Sequence, residues 1–436
     1  MGRTIGDVYV LDGNLALIYI IDTYKSCIWS NRYYDVGDCE VYLPAKPELM
    51  QILVKGNYLV RTNDDMVCRI KKVELDTDAE NGDYLIVTGR DTKDLCDQRI
   101  IWSTMTCDGN LETFIRKIVT SSLINPSLTA RKVLKPDGTP LLSLGTAAGF
   151  TDVLSEQVSY KGVGEKIREY CRKYGWGYKT ILSGSALEWI LYEGTDRSDS
   201  VFFSDEYENL ITTSYVDDDT NLGNVSLVGG EGEGSARSMS TSGYAESTDR
   251  YEIFVDAKDI THVVSWLELT TTYPLESAGG QGYIVTDSDK YYYKLRQLDI
   301  HIVDAEQLAK LQTQYPSGSI VTVDGIEYYR ISNVTIADLP SQSPSDTDNV
   351  DLRDVIYSVY LLNRGYEKLA DYGEKITFSG TVEPDVTFEY KTDYFLGDIV
   401  TVQNSYGITV PVRIVEIIEV NDDNGYSLQP KFEYIN

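Results

Sequence analysis

Two stretches near opposite ends of the chain have nearly the same pattern. The first begins at Gly56 and reads GNYLVRTNDDMVCRIKKVELDTDAENGDYLIVTG, and the second begins at Gly397 and reads GDIVTVQNSYGITVPVRIVEIIEVNDDNGYSLQPKFE. Each continues with a short apolar strand, a polar turn and a second strand, and reaches Asn81-Gly82 or Asn424-Gly425 before a return strand. Asn-Gly favours the type I′ turn between antiparallel strands. The chain therefore carries two copies of one β-meander, which is more typical of structural proteins than of enzymes.

Composition limits the classes of protein to consider. With 436 residues, 42% of them hydrophobic, the chain can form three or four domains. No apolar run approaches the length of about 18 to 20 residues that crosses a bilayer, and no basic leader indicates a secretory signal. The six cysteines lie in the first 171 residues without a CxxC pair, which indicates reduced thiols in a cytoplasm and argues against a zinc ribbon. Only His262 and His301 supply imidazole, so sites built on a histidine base or histidine metal ligands are disfavoured.

The formal net charge of −29 is strongly acidic. It disfavours nonspecific binding of nucleic acid, which needs Lys and Arg to displace counterions from phosphates, and it disfavours attachment to anionic lipid. Solubility is the simplest reason for such a charge. A second reading is a passage lined with carboxylates, which repels DNA and lets it slide through.

The first half of the chain predicts two domains. Residues 1–107 read as an antiparallel β-domain, a barrel or sandwich, with a hairpin at Asp12-Gly13 followed later by the first meander. Residues 108–200 read as a small α/β domain, because apolar residues between positions 111 and 122 recur on one helical face behind Asn110 as N-cap. A second helix, from about residue 164 to 174, ends at Gly175.

The second half predicts a discontinuous arrangement. Residues 201–259 are strand-like and, with residues 374–436, form a second β-barrel related to the first. Residues 260–373 form an inserted α+β domain, with a capping-box helix at Asp304 and a long helix from about residue 351 to 372. The predicted fold class is therefore α+β and mainly β: two related antiparallel tube-like barrels, a small α/β domain and an inserted α+β domain.

Candidate chemistry is sparse. The run Asp217, Asp219, Asn221, Gly223 resembles a calcium loop but lacks Gly at position six and Glu at position twelve. The GGEGEG stretch lacks the Lys-Ser/Thr pair of a phosphate loop, and its glutamates would repel phosphate. No nucleophile elbow, HExxH helix or Cys-His arrangement is present. The sequence thus predicts no catalytic residue, no cofactor and no metal.

Several segments resemble a known family. They are WSNRYYDVGDCEVYLPA, GNYLVR, ENGDYLIVTGRDTKDLCDQRIIW, GFTD at residues 149–152, VFFSDEYENL, NVSLVGGEGEG, IFVDAKDI and the closing DYFLGDIVTVQNSYG…RIVEIIEVNDDNGYSLQPKFEY. Together they resemble siphophage tail hub proteins of the tail-associated, baseplate-hub-like type, the Gp37-like phage tail proteins. The resemblance covers most of the chain, and residues 265–350 match weakly.

The resemblance implies a homotrimeric ring at the distal end of the tail tube, in the virion's distal tail tip. Each subunit of such hubs carries two tube-like barrels, so three chains give six similar modules that dock on a sixfold tube. It implies as partners a distal tail protein ring, the tape measure protein and a tip or receptor-binding protein, while phage DNA passes through without specific binding. Because the chain stops soon after the second meander, we expect no lysin, protease or fibre region.

These observations favour a structural hub that gates DNA passage and is not an enzyme. On this reading the acidic residues Asp217, Asp218, Asp219, Glu231 and Glu233 lie on loops near the lumen or at a subunit interface. Two alternatives stay open: the hub of a contractile, phage-tail-like particle, and a tail-bound cell-wall or glycan hydrolase. A carboxylate pair for glycoside hydrolysis can be drawn from so acidic a chain, but no spacing singles one out.

Overall fold

The computed structural model describes residues 6–62, 64–78, 82–243, 245, 247–302, 305–323, 326–373, 375–382 and 387–435. The α-helices in these ranges are α1 Pro47–Ile52, α2 Asp94–Asp97, α3 Leu111–Val119, α4 Val163–Tyr174, α5 Trp266–Thr272, α6 Ala305–Gln314 and α7 Asp354–Leu369. None of these helices is long and apolar enough to cross a membrane.

Strands dominate the described residues. They are β1 Val8–Leu11, β2 Leu17–Ile21, β3 Ser26–Arg32, β4 Asp38–Pro44, β5 Tyr58–Arg61, β6 Cys68–Asp78, β7 Gly82–Asp91, β8 Met105–Asn110, β9 Leu142–Leu144, β10 Val153–Val158, β11 Gly177–Ser183, β12 Ala186–Tyr192, β13 Phe202–Ser204, β14 Leu210–Asp218, β15 Val225–Gly229, β16 Met239–Ser242, β17 Glu252–Asp256, β18 Val263–Ser265, β19 Gly282–Asp287, β20 Lys290–His301, β21 Ser319–Val323, β22 Ile326–Leu339, β23 Asn349–Leu352, β24 Lys375–Val382, β25 Ile399–Gln403, β26 Thr409–Asp422 and β27 Gly425–Tyr434. The fold is mainly β, as the sequence predicts.

One 13-stranded sheet contains both meanders. Its strand order is β14-β24-β27-β26-β3-β4-β7-β6-β5-β1-β2, and β25 pairs with both β13 and β26. The first meander is β5-β6-β7 and the second is β25-β26-β27, and the contact between β3 and β26 joins the two halves. The described strands pair in this linear order, as in an open sheet. The predicted closure into two barrels remains a prediction.

The two meanders have the same local geometry, which confirms the repeat. Gly56 and Gly397, which precede them, have positive φ values of 99° and 97°, a region that favours glycine. The amide of Gly56 donates to the carbonyl of Ile70 at 3.1 Å, and the amide of Gly397 donates to Ile414 at 2.8 Å. Each middle strand has a bulge directly after that isoleucine. A β-bulge adds one residue and bends its strand, so both copies bend at the same place.

The second Asn-Gly turn differs from the predicted type I′ geometry. In the second hairpin Asp422 pairs with Gly425, and Gly425 has a φ of 108° while Asn424 keeps a negative φ. The Asp422 side chain accepts a hydrogen bond from the Asn424 amide at 2.8 Å. This local bond fixes a turn centred one residue earlier. The matching Asn81 lies outside the described residues.

The predicted hairpin at Asp12-Gly13 is also shifted. The strands β1 and β2 do pair, but the positive φ of 67° belongs to Leu15 and not to Gly13. The Asp12 carboxylate accepts hydrogen bonds from the amides of Asn14 at 2.8 Å and Ala16 at 2.9 Å. A side chain that caps a loop in this way stabilises a longer turn than the dipeptide rule predicts.

The helices of residues 108–200 begin and end close to their predicted positions. The Asn110 side chain accepts a hydrogen bond from the Thr113 amide at 2.8 Å, which confirms it as the N-cap of α3. Gly175 ends α4 with a φ of 71°, as predicted. A core cluster that includes Tyr33, Ile115 and Val400 spans these helices and both halves of the large sheet.

Strands from the 201–259 region divide between two sheets. β13 and β14 pair with β25 and β24 of the second meander, whereas β15, β16 and β17 form a separate three-stranded sheet. β18 to β23 form a six-stranded sheet whose core cluster includes Tyr293 and Tyr360 of α7. The helix α7 begins at Asp354 because the preceding residues form β23. The predicted cap Asp304 lies outside the described residues, and the predicted domain boundaries stay predictions.

Candidate assembly interface

The contact between the two halves of the large sheet is the part of the fold most relevant to assembly. Each half contains one of the two meanders, and we call each half a repeat. Residues 27–32 of β3 pair antiparallel with residues 416–421 of β26, and we call this six-residue ladder the internal junction. It places Arg32 opposite Glu416 and Trp29 opposite Glu419. Strands that pair edge to edge satisfy each other's backbone groups, so the ladder fuses two modules into one sheet.

An ion pair reinforces one end of the internal junction. The Nε of Arg32 lies 2.7 Å from Oε1 of Glu416, and a second nitrogen of Arg32 lies 2.6 Å from Asp38. Lys431 contacts the other carboxylate oxygen of Glu416 at 2.7 Å. Burial by itself lowers the pKa of Arg32, but the hydrogen bonds and negative charges of Asp38 and Glu416 outweigh burial and raise that pKa. The guanidinium thus stays charged and links β3 of one repeat to β26 of the other.

A buried cation crosses the middle of the internal junction. Arg61, at the end of β5, donates to Glu419 at 2.7 Å and also contacts Asp64. Its guanidinium lies 4.8 Å from the centre of the Trp29 ring. Burial raises the pKa of Asp64, but the charges of Arg61 and Lys391 outweigh it and lower that pKa. Buried ion pairs therefore connect the two repeats at this point.

Sequence reasoning missed these residues. Glu416 and Glu419 stand in the strand RIVEIIEV, and Arg61 ends the strand YLVR. Charges inside otherwise apolar strands are a usable signal, since a buried charge needs a partner. Nothing in one sequence, however, links position 61 to position 419.

The acidic residues predicted on loops divide into two groups. Asp217 and Asp218 are the last residues of β14, so the prediction of a loop is wrong for both; Asp219 follows directly. The partner strand β24 extends far enough to pair with them. Asp218 accepts a hydrogen bond from the Thr220 amide at 2.9 Å. These carboxylates lie at the end of the strand that terminates the large sheet.

Glu231 and Glu233 lie on the turn that follows β15. A carboxylate oxygen of Glu231 lies 2.8 Å from Nδ1 of His262 and accepts from the His262 amide at 3.1 Å. The His262 ring stacks on Tyr357 of α7, with ring centres 3.5 Å apart. Glu231 is thus a structural contact, whereas Glu233 is exposed. Within the described residues no group of three or more His, Cys, Asp or Glu side chains could hold a metal ion.

A buried ionic cluster joins α4, β10 and α7. Lys166 lies 3.1 Å from Glu156 and 2.9 Å from Glu169, and it also contacts Glu367. Arg364 lies 3.1 Å from Glu156. Burial by itself raises the pKa of Glu156, yet Lys166 and Arg364 lower it to about 2. Such buried pairs fix the relative position of packed elements more than they add stability.

A cleft of about 1020 Å³ lies between both halves of the large sheet and β11. Charges of both signs line it. The buried Lys93 donates to the Arg32 carbonyl and lies 3.5 Å from Asp91. Burial lowers the pKa of Lys93 and raises that of Asp91. The pairing of these charges is typical of a polar junction between packed parts.

The family of the chain follows from comparison with known proteins. A family profile described as "Siphovirus ReqiPepy6 Gp37-like protein" matches residues 7–432. The chain belongs to this family of siphovirus tail proteins. The resemblance seen in the sequence is thereby confirmed, and as a phage tail protein the chain is a component of the virion. A search of curated proteins gave no match.

Three solved structures similar to this chain are described as tail proteins, two of them from prophages. A tail protein from Neisseria meningitidis MC58 has 10% identity and a TM-score of 0.48, covering 98% of this chain and 96% of its own. The 43 kDa tail protein of prophage MuSo2 from Shewanella oneidensis has 9% identity and a TM-score of 0.49, covering 98% of each chain. Prophage tail protein gp18 from Listeria monocytogenes EGD-e has 11% identity and a TM-score of 0.44, covering 98% and 94%. The family match carries the assignment.

Proposed function

We propose that this tail protein is the structural hub at the distal end of the phage tail tube. Three copies form a ring that adapts the sixfold tube to a threefold tip and gates the passage of DNA. Residues 1–107, and residues 201–259 with 374–436, supply two tube-like β-barrels per subunit. Residues 108–200 and 260–373 form accessory domains on the outside of the ring.

One observation supports this proposal above the others: the chain contains the same bent meander twice, in two halves of one sheet that pair through β3 and β26. A subunit with two equivalent modules offers a sixfold tube two of the six contacts it needs. Three subunits complete the set, and closed rings of identical chains are the usual form of such assemblies.

The acidic surface fits a passage for DNA. A net charge of −29 disfavours binding to phosphates, so DNA would move through the ring without specific contacts. We propose that Asp217, Asp218, Asp219, Glu231 and Glu233 lie near the lumen or at a subunit interface. The proposed partners are a distal tail protein ring above, the tape measure protein inside, and a tip or receptor-binding protein below.

The oligomeric mass of the purified protein tests the proposal. One chain has a mass of 49.0 kDa, so a trimer has three times that mass, about 147 kDa. We expect this species by light scattering or mass photometry, alone or on addition of the distal ring protein, and a central hole in images of it. A chain that stays monomeric in both conditions contradicts the proposal.

The proposed role is structural and not enzymatic. Purified protein incubated with host cell walls in a zymogram should leave them intact, with a known muramidase as the positive control. Clearing of the gel by this chain would favour the alternative of a tail-bound hydrolase.

A further inference from the structure

We infer that the ring closes by repeating, between subunits, the strand pairing that joins the two repeats within one chain. In this arrangement β14 of one subunit pairs antiparallel with the outer half of β6, residues 72–78, of a neighbouring copy. The inference rests on the proposed ring and names the surface through which its subunits meet.

The strands of the two halves correspond one to one. The first half has the order β6-β7-β4-β3 and the second has the order β26-β27-β24-β14, with every neighbour antiparallel in both. The strand β3 ends the first set, and its outer edge pairs with β26 in the internal junction. The strand β14 ends the second set, and within the described residues its outer edge carries no ladder.

The docking edge for β14 is identified in the same way. From the bulge to the hairpin, β26 contributes residues 416–422 and β6 contributes residues 72–78, seven in each case. The strand β3 covers that edge of β26, whereas the described ladders leave the same edge of β6 open. Among the described residues, one copy of the edge is therefore covered and the other is open, and one copy of the strand has a partner on its outer side while the other has no ladder there. An open edge matching an open strand elsewhere on the subunit is a head-to-tail contact, which can close a ring.

The charges at the end of the predicted contact are complementary. The ladders through β4 and β24 align Arg32 of β3 with Asp218 of β14, and the bulges align Glu416 with Lys72. Arg32 faces Glu416 in the internal junction, so Asp218 faces Lys72 of the neighbouring copy. The outer strand, which carries the positive charge in the internal junction, carries the negative charge in the proposed contact. The facing strand changes in the opposite sense, so the two residues still attract each other. The Lys72 side chain is 64% exposed, where it contacts Glu74, and it is available to a partner.

Apolar exposure points to the same surface. Ser30 and Glu419 are 5% and 6% exposed in the internal junction, where each repeat covers the other. Their counterparts on the open edges are Val216 and Leu75, which are 48% and 46% exposed. Apolar side chains left exposed along open strand edges are typical of a contact with another chain. The occupant that the repeat specifies is a second copy of this protein.

The charge reversal also sets the order of modules in the ring. If β3 paired with the open edge of a neighbour's β6, Arg32 would face Lys72. If β14 paired with β26, Asp218 would face Glu416. Like charges directly opposite on neighbouring strands are destabilising. Both exchanges are therefore disfavoured, and the favoured ring alternates first and second modules.

Disulfide trapping tests the register directly. In the predicted contact Tyr215 lies opposite Leu75, so the double variant Leu75→Cys/Tyr215→Cys should form intersubunit disulfides and give a covalent trimer on a non-reducing gel. The control Thr77→Cys/Asp217→Cys uses the same strands with a mismatch of four residues, about 13 Å, and should stay unlinked. The six natural cysteines are buried, and each single variant controls for them.

A charge exchange gives the second measurement. Lys72→Glu should weaken trimer formation at least tenfold, and adding Asp218→Lys should restore it. Because Asp218 also accepts a hydrogen bond from the Thr220 amide, thermal unfolding of each variant is measured beside its oligomeric mass. If the Leu75→Cys/Tyr215→Cys variant forms trimers but no intersubunit disulfide, the inference is wrong and the proposed ring is unaffected. The same holds if the control variant Thr77→Cys/Asp217→Cys becomes cross-linked. A chain that stays monomeric even with the distal ring protein would overturn both.

Discussion

The internal junction allows a sharp test, because the two repeats use different chemistry at matching positions. Arg61 and Glu419 form a buried ion pair, and by the strand correspondence their counterparts are Val402 and Leu75. We therefore consider Arg61→Val, Glu419→Leu and the double variant, which places the apolar residues of the two matching positions in the internal junction.

The expected magnitudes follow from which charges lose their partners. Arg61→Val leaves Asp64 and Glu419 buried with Lys391 as their remaining cation, at 2.7 and 3.3 Å, and should lower the free energy of unfolding by about 3–5 kcal/mol. Glu419→Leu leaves Arg61 with Asp64 and should cost about 2–3 kcal/mol. The double variant removes both charges and Nε of Arg61, which has no hydrogen-bond partner. It should cost at most about 2 kcal/mol, whereas the two single losses sum to at least about 5 kcal/mol, so the coupling energy is at least about 3 kcal/mol.

Urea denaturation followed by tryptophan fluorescence is the appropriate assay, since Trp29 lies beneath the Arg61 guanidinium and reports on the junction. The comparison needs equal m-values among the four proteins, so that the midpoints reflect stability. Losses from the two single variants that simply add in the double variant would refute the account of a coupled ion pair.

Three further predictions follow from the described contacts. Lys166→Met leaves three glutamates around a missing cation and should lower stability by about 3–5 kcal/mol in thermal unfolding, whereas Lys72→Met at the surface should change it by less than about 0.5 kcal/mol. Burial raises the pKa of Asp108 from 3.8 to about 6, so its charge destabilises the folded state increasingly from about pH 4 to 6. Asp108→Asn should therefore gain about 1–3 kcal/mol at pH 8 and nothing at pH 3.5, and an equal gain at both would contradict this assignment. Gly397→Ala should destabilise more than Gly56→Ala in the same melts, because both have positive φ but only at Gly397 does a Cβ collide with the Tyr33 ring; equal losses would contradict the packing.

The sequence predicts the meanders well because their signals are local. A glycine before the first strand, an apolar alternation and an Asn-Gly pair each act within a few residues. The errors arise where side chains compete with those signals. Asp12 and Asp422 cap their own loops and shift the turns, and the acidic end of β14 reads as a loop because its partner β24 lies far along the chain.

The internal junction could not be predicted from one sequence. It joins Arg32 to Glu416 across 384 positions, and a ladder between distant strands leaves no periodic trace in either of them. The strand correspondence that identifies the open edges needs the bulge positions and ladder registers, which only the fold supplies. The proposed pairing of Lys72 with Asp218 likewise follows only from the alignment of the two halves.

Electron cryomicroscopy of the assembled protein, at a resolution that separates strands, tests the central claim most directly. The account predicts a threefold ring in which six similar four-stranded sheets surround a hole, with first and second modules alternating and β14 seated beside β6 of the next subunit. A ring whose subunits meet through other surfaces, or in which the two meanders occupy different radii, would contradict it.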